Sequence, residues 1–115
     1  MTLDVMKSVE IIEVMENYIA RKRPPIEIRD KLDINYRLDN QSIILFQIRP
    51  IWNDQSNYQT IDYAKATFDK KNALWKLYWM RANQKWNIYK PQPTVRFVQQ
   101  FLEIVDTDTY GCFNG

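Results

Sequence analysis

"LWKLYWMRANQKWNIYKP", residues 74–91, sets three tryptophans and two tyrosines among lysines and an arginine, with no acid. At period two, Trp75, Leu77 and Trp79 fall on one side of an extended chain, and Leu74, Lys76, Tyr78 and Met80 on the other. The alternation predicts a strand over 74–81. Ala82-Asn83-Gln84 makes a turn, and residues 85–90 return as a strand on which Trp86 and Ile88 oppose Lys85, Asn87 and Tyr89. With the tryptophans in a core beside Phe68, the opposite face presents Lys65, Lys76, Tyr78, Lys85, Asn87, Tyr89 and Arg49.

Upstream, Ala64, Ala66 and Phe68 alternate against Tyr63, Lys65 and Thr67, which predicts a strand over 61–69 closed by the turn "DKKN" (69–72). "SIILFQIRPIW" (42–52) is apolar on both sides at its centre, as in an interior strand, until Pro50 removes a backbone donor. Asp39-Asn40-Gln41 is turn chemistry. Ahead of it, Ile26, Ile28, Leu32, Ile34, Tyr36 and Leu38 alternate with polar residues, which predicts one long strand over 26–38. Such a strand could lie at a sheet edge and pair with another chain, although alternating charges also keep edges apart. "NDQSNYQT" (53–60) reads as a polar loop. The short connections after the third strand require antiparallel neighbours.

Helices flank the strands. Val5, Val9, Ile12, Met15 and Ile19 recur at helical spacing, which predicts a helix over 3–22 with Thr2 or Asp4 as its cap. Arg21-Lys22-Arg23 suits the negative end of that helix, and Pro24-Pro25 ends it. After Pro91 and Pro93, Thr94 is the expected cap of a second helix with Val98, Phe101, Leu102 and Val105 on its apolar side, ending near Asp106. The expectation is a single α+β domain over 1–115, a five-stranded antiparallel meander sheet flanked by an N-terminal and a C-terminal helix.

Net charge is +2, too small to imply a polyanionic partner by itself. Its placement is uneven: residues 73–96 carry five cations and no acid, and residues 97–115 carry three acids and no cation. Cys112 stands alone, which excludes an intrachain disulfide and suggests a reducing compartment. No apolar run approaches a membrane span, so the sequence reads as cytoplasmic with no membrane partner.

Catalytic chemistry is thinly supplied. There is no histidine, hence none of the usual triads, and Cys112 has no base to activate it. The only glycines, Gly111 and Gly115, make no phosphate loop. The run Asp106-Thr107-Asp108-Thr109-Tyr110-Gly111 matches the opening of a calcium loop, but Tyr110 stands at a ligand position and no bidentate glutamate follows. A turn in which Gly111 takes a positive φ and Phe113 pins the tail accounts for the same residues. Arg49 or Arg81 could pair with Asp106 or Asp108, or bind an anion.

"IRPIW", "AKATFDKKNALWKLYWMRANQKWNIYKP" and "DTDTYGCFNG" together resemble domain-of-unknown-function family 3024, small bacterial proteins without an assigned activity. The resemblance implies a stand-alone bacterial domain and covers most of the chain. It draws attention to Arg49, Trp52, Trp75, Tyr78, Trp79, Arg81, Trp86, Tyr89, Asp106 and Gly111 without giving any of them a role. The resulting expectation is a non-enzymatic interaction module or homodimer, with an unknown protein partner or itself, and no cofactor. The alternative is single-stranded nucleic-acid binding on the tyrosine–lysine face, where bases stack on tyrosine and lysines track phosphates. A metal-dependent enzyme built on Asp106 and Asp108 ranks last.

Overall fold

Residues 5–113 are described by the computed structural model. Helix α1 (Val5–Lys22) precedes strands β1 (Asp33–Asp39), β2 (Ser42–Ile51), β3 (Asp54–Asp69), β4 (Leu74–Met80), β5 (Trp86–Ile88) and β6 (Thr94–Val95), and helix α2 (Val98–Thr107) closes the order. The fold is α+β. Strands β1 to β5 lie side by side in chain order, all antiparallel. The sixth strand is new relative to the sequence reading. Thr94 and Val95 pair with Lys76 and Trp75 rather than capping a helix, so β5 and β6 share the far edge of β4. The cap of α2 is Phe97, whose backbone N–H donates to Gln100 Oε1 at 2.9 Å. Thr2 and Asp4 lie outside the described residues.

Both helices cover one face of the sheet. The core joins Ile43 and Leu45 of β2, Ala64 and Ala66 of β3, and Trp75 and Leu77 of β4 to both helices. From α2 it takes Val98, Phe101, Leu102 and Val105, the four residues expected from the spacing. From α1 it takes Ile11, Met15, Tyr18 and Ile19. Here the expectation needs correction, since Val9 is 57% and Ile12 42% exposed. The residues at 11, 14, 15 and 18 follow the i, i+3, i+4, i+7 pattern of a broad apolar face, and that face meets the sheet.

Two other boundaries differ. The long strand predicted over 26–38 begins only at Asp33. Pro24 and Pro25 start a run of local turns in which the N–H groups of Ile28 and Lys31 donate to the carbonyls of Pro25 and Ile28, both at 2.8 Å. Ile26 and Ile28 therefore stay exposed. Of residues 53–60, expected as a loop, all but Asn53 belong to the strand β3, whose 16 residues make it the longest in the sheet. β1 follows β2 only as far as Ile48, and β4 follows β3 only as far as Ala64. Beyond those points β2 and β3 have only each other, forming a two-stranded arm with Trp52 at its tip, 85% exposed. A bulge at Tyr63, skipped between the Leu45–Ala64 and Phe46–Asp62 pairs, marks where β3 parts from β4.

Candidate binding surface

The face of the sheet away from the helices is open, and pairing register decides what it displays. Arg37, Ile44, Lys65, Tyr78 and Ile88 are successive cross-strand partners, one row running through β1 to β5. Cross-strand partners share a face, so the row is a single stripe. Beside it, Met80 pairs with Trp86, and Phe46 pairs with Asn35 and Asp62. On the other flank Ser42, Thr67 and Lys76 line up, with the Ser42 and Thr67 hydroxyls 2.7 Å apart.

Charge on this surface is engaged from within. Lys65 Nζ lies 4.8 Å from the ring centroids of both Tyr78 and Trp86. Burial there holds its ammonium pKa below the ordinary lysine value. Arg37 grips Asp62 with two hydrogen bonds of 2.8 Å and stands 5.6 Å from the centroid of Phe46. That bidentate bond raises the guanidinium pKa further above its usual value. Lys76 Nζ is 4.0 Å from Asp69. Ile44, buried yet outside the core cluster, lies in the central row.

Seven residues were expected on this face, and the structure divides them. Lys65, Lys76 and Tyr78 are there together. Lys85 is exposed in the adjoining turn, where its carbonyl accepts from the Arg81 N–H at 3.1 Å. Arg49 belongs to the opposite side of β2, that of Gln47 and Leu45, and donates to Gln47 Oε1 at 2.9 Å. Asn87 and Tyr89 also leave the face, because the whole of β5 is inverted relative to expectation. Trp86 pairs with Met80 and not with Trp79, and a one-residue slip moves every side chain to the other side. Asn87 then sits across from Trp79, and Tyr89 is buried against Phe113 with ring centroids 5.1 Å apart. In their place the open face gains Trp86 and Ile88. The turn chemistry that sets this register, Gln84 in the left-handed region at φ 65°, carries no glycine to announce it.

Asp106 and Asp108 have structural partners. The Tyr18 hydroxyl donates to Asp106 Oδ1 at 2.7 Å, and Lys22 Nζ lies 3.2 Å from Oδ2. The pair joins the C-terminal ends of α1 and α2, replacing the expected contacts with Arg49 or Arg81. Arg81 instead stands 5.7 Å from the Trp79 centroid. Asp108, left-handed at φ 45°, accepts from the Phe113 N–H at 3.1 Å. Gly111 has φ 67° and Phe113 is buried, as the turn reading expected. The cluster Arg21-Lys22-Arg23 is likewise spent within the molecule: Arg21 over Tyr18, Lys22 on Asp106, Arg23 on Asp33. Among the described residues no three of the histidine, cysteine, aspartate and glutamate side chains gather as a metal site. No helix is long and apolar enough to cross a membrane.

An α+β domain with one helix-covered and one open sheet face is thus the class the geometry defines. The chain belongs to the family described as Domain of unknown function (DUF3024), which it matches over residues 4–115. No curated protein and no solved structure matches it. Of the residues that carry the family resemblance, Trp75, Trp79 and Tyr89 pack on the covered side, Tyr78 and Trp86 on the open one, and Trp52 marks the tip of the arm.

Proposed function

We propose that this domain is a protein-interaction module, bacterial and cytoplasmic, that binds through the open face of its sheet and performs no catalysis itself. The observation that carries the reading is the composition of the central stripe. Ile44, Tyr78 and Ile88 are brought together there with Trp86 beside them, while Lys65 lies between two rings and Arg37 is held by Asp62. Aromatic, methionine and arginine side chains are the types enriched at protein interfaces, whereas free lysines are depleted. The nearby cations Lys76 and Lys85 suit a partner whose own surface is apolar and acidic. Affinity capture with Ile88→Asp beside the unchanged protein tests this. A partner held by the unchanged chain and released by a folded Ile88→Asp variant supports it, and equal capture by both sinks it.

Single-stranded nucleic acid is the second reading, and one observation favours it. Lys70, Lys71 and Lys76 line a cleft with Tyr78 at the end of β3, about 270 Å³ in volume. Fluorescence anisotropy of labelled mixed-sequence RNA and DNA, at low and at physiological salt, measures it. Steeply salt-dependent binding that disappears in a Lys76→Ala, Tyr78→Ala double variant would put this reading first.

A further inference from the structure

We propose that the cavity enclosed by α2, the turn after β5 and the turn after α2 binds a guanidinium group, as carried by arginine. It lies on the helix side of the sheet, apart from the open-face stripe, and does not depend on binding there.

Three observations carry it. First, the walls are fixed before any ligand arrives. Tyr89 to Gln92 form one turn, closed by the Gln92 N–H on the Tyr89 carbonyl at 3.2 Å, with Lys90 and Pro91 at its corner. Asp108 to Gly111 form the other, closed by the Gly111 N–H on the Asp108 carbonyl at 3.0 Å, with Thr109 and Tyr110 at its corner. The Asp108 N–H donates to the Ile104 carbonyl at 2.9 Å, and its carboxylate accepts from the Phe113 N–H, which ties this turn to α2 and to the tail. Phe113 packs in turn on Tyr89, clasping the two turns together. A site already ordered keeps more of its contact energy on binding.

Second, the space has the size and charge of a small cation's site. About 340 Å³ lies between the turns and one side of α2, where Glu103, Ile104 and Thr107 recur at helical spacing. Glu103 brings the only charged group among the lining residues, and its carboxylate has no ion-pair partner among the described residues. Lys90 is exposed and outside the lining. Burial raises the Tyr89 hydroxyl pKa, and Cys112, Tyr110 and Asp108 add to the rise, as a negative local field would.

Third, the lining suits a planar cation. Gln92, Thr107 and Thr109 place amide and hydroxyl groups around the Glu103 carboxylate, and Tyr110 is 66% exposed on its turn. A guanidinium spreads its N–H donors in one plane, pairs bidentately with a carboxylate and stacks on aromatic rings. An ammonium is compact and strongly hydrated, and matches such a lining less well.

Chemical-shift titration of the isotope-labelled full chain provides the test. The probes are free arginine, arginine blocked at both ends, and the equally blocked forms of lysine and of citrulline, the neutral isostere. Both arginine probes should move the backbone amides of Gln92, Thr107, Thr109 and Tyr110 and reach saturation. Blocked citrulline should bind at least about tenfold more weakly than blocked arginine, and Glu103→Gln should weaken arginine by a similar factor. Tyr110→Ala should cost about two- to fivefold, and Ile88→Asp on the open face nothing. Glu103 is exposed, so the glutamine variant keeps the fold, and unchanged amide shifts outside the cavity verify it. Blocked arginine binding as tightly as free arginine supports the site with an arginine of a partner chain as its ligand. Free arginine binding alone supports it with a small molecule. The proposal is overturned if no saturable shift appears at these amides. Equal binding of blocked citrulline or blocked lysine overturns it too, as does undiminished binding by Glu103→Gln.

Discussion

The two faces of one sheet handle the same residue types differently. On the covered face, Trp75 is 2% exposed and tilts against Phe68 at 5.0 Å between centroids, with helices closing over the surrounding core. On the open face, Trp86 is only partly buried and its near neighbour is the Lys65 ammonium. Removing apolar area from water drives the first arrangement. The second combines a modest cation–ring attraction with a surface left available. A tryptophan in this chain is therefore structural or accessible according to its strand register and not its sequence neighbourhood.

The contrast is sharpest in truncation. Trp75→Ala is expected to cost about 3–5 kcal/mol in denaturant unfolding, and Trp86→Ala about 1 kcal/mol, the scale of an exposed cation–ring contact. Equal losses would mean that the open face is as structural as the covered one. Next in size is the link between the helix ends. Asp106→Ala removes the acceptor of the hydroxyl of Tyr18, a buried core residue, and a hydrogen bond to a charged group is worth about 1.5–3 kcal/mol. The Lys22 contact adds little, being exposed and screened. An unchanged melting curve would show that the two helices need no such tie.

Alkaline pH tests the covered face by a different route. Burial pushes the Tyr63 hydroxyl up to about 12, with the Asp106 charge adding to the shift. Its folded pKa lies above the ordinary tyrosine value of about 10. The unfolded chain therefore loses this proton first, and stability is complete below that value and falls as pH rises through the window up to about 12. The share due to Tyr63 should be roughly 2–3 kcal/mol. Tyr63→Phe should remove that share and leave the part due to Tyr18, whose hydroxyl is likewise raised by burial and by Asp106. Smallest is Ala73→Gly: Ala73 sits at φ 54° in the β3–β4 turn, and glycine there should stabilise by about 0.5–1 kcal/mol. A destabilisation would mean that the alanine methyl packs usefully.

Much of the body was legible because its periodicity survives folding. The α2 stripe, the β3–β4 hairpin and the buried side of Trp75 and Leu77 each follow from a run long enough to show its period. Three features were not legible, for separate reasons. In α1, two overlapping apolar spacings compete, and only the sheet beneath selects Ile11 and Tyr18 over Val9 and Ile12. Residues 56–60 alternate nothing, since a strand exposed on both sides needs no apolar side. On β5 the alternation itself was clear, but its phase depends on a turn in which a glutamine takes a conformation usually given to glycine or asparagine. The binding surface inherits that last ambiguity. Lys65, Lys76 and Tyr78 could be placed from their own strands, whereas Tyr89 and Trp86 changed places.

The bond between Tyr18 and Asp106 spans 88 residues. Between them, strands β1 to β5 lie beside their sequence neighbours, so each hairpin can form by closing a short loop, and only β6 reaches past its neighbour to β4. Joining the first helix to the last closes nearly the whole chain into one ring, and it rewards the polypeptide only after the sheet exists to seat both helices. Such a contact belongs to the late side of the folding barrier. Weakening it should hasten opening and leave the rate of folding almost unchanged. The clasp is then a brake on unfolding, and sets how long the folded domain lasts rather than how soon it forms.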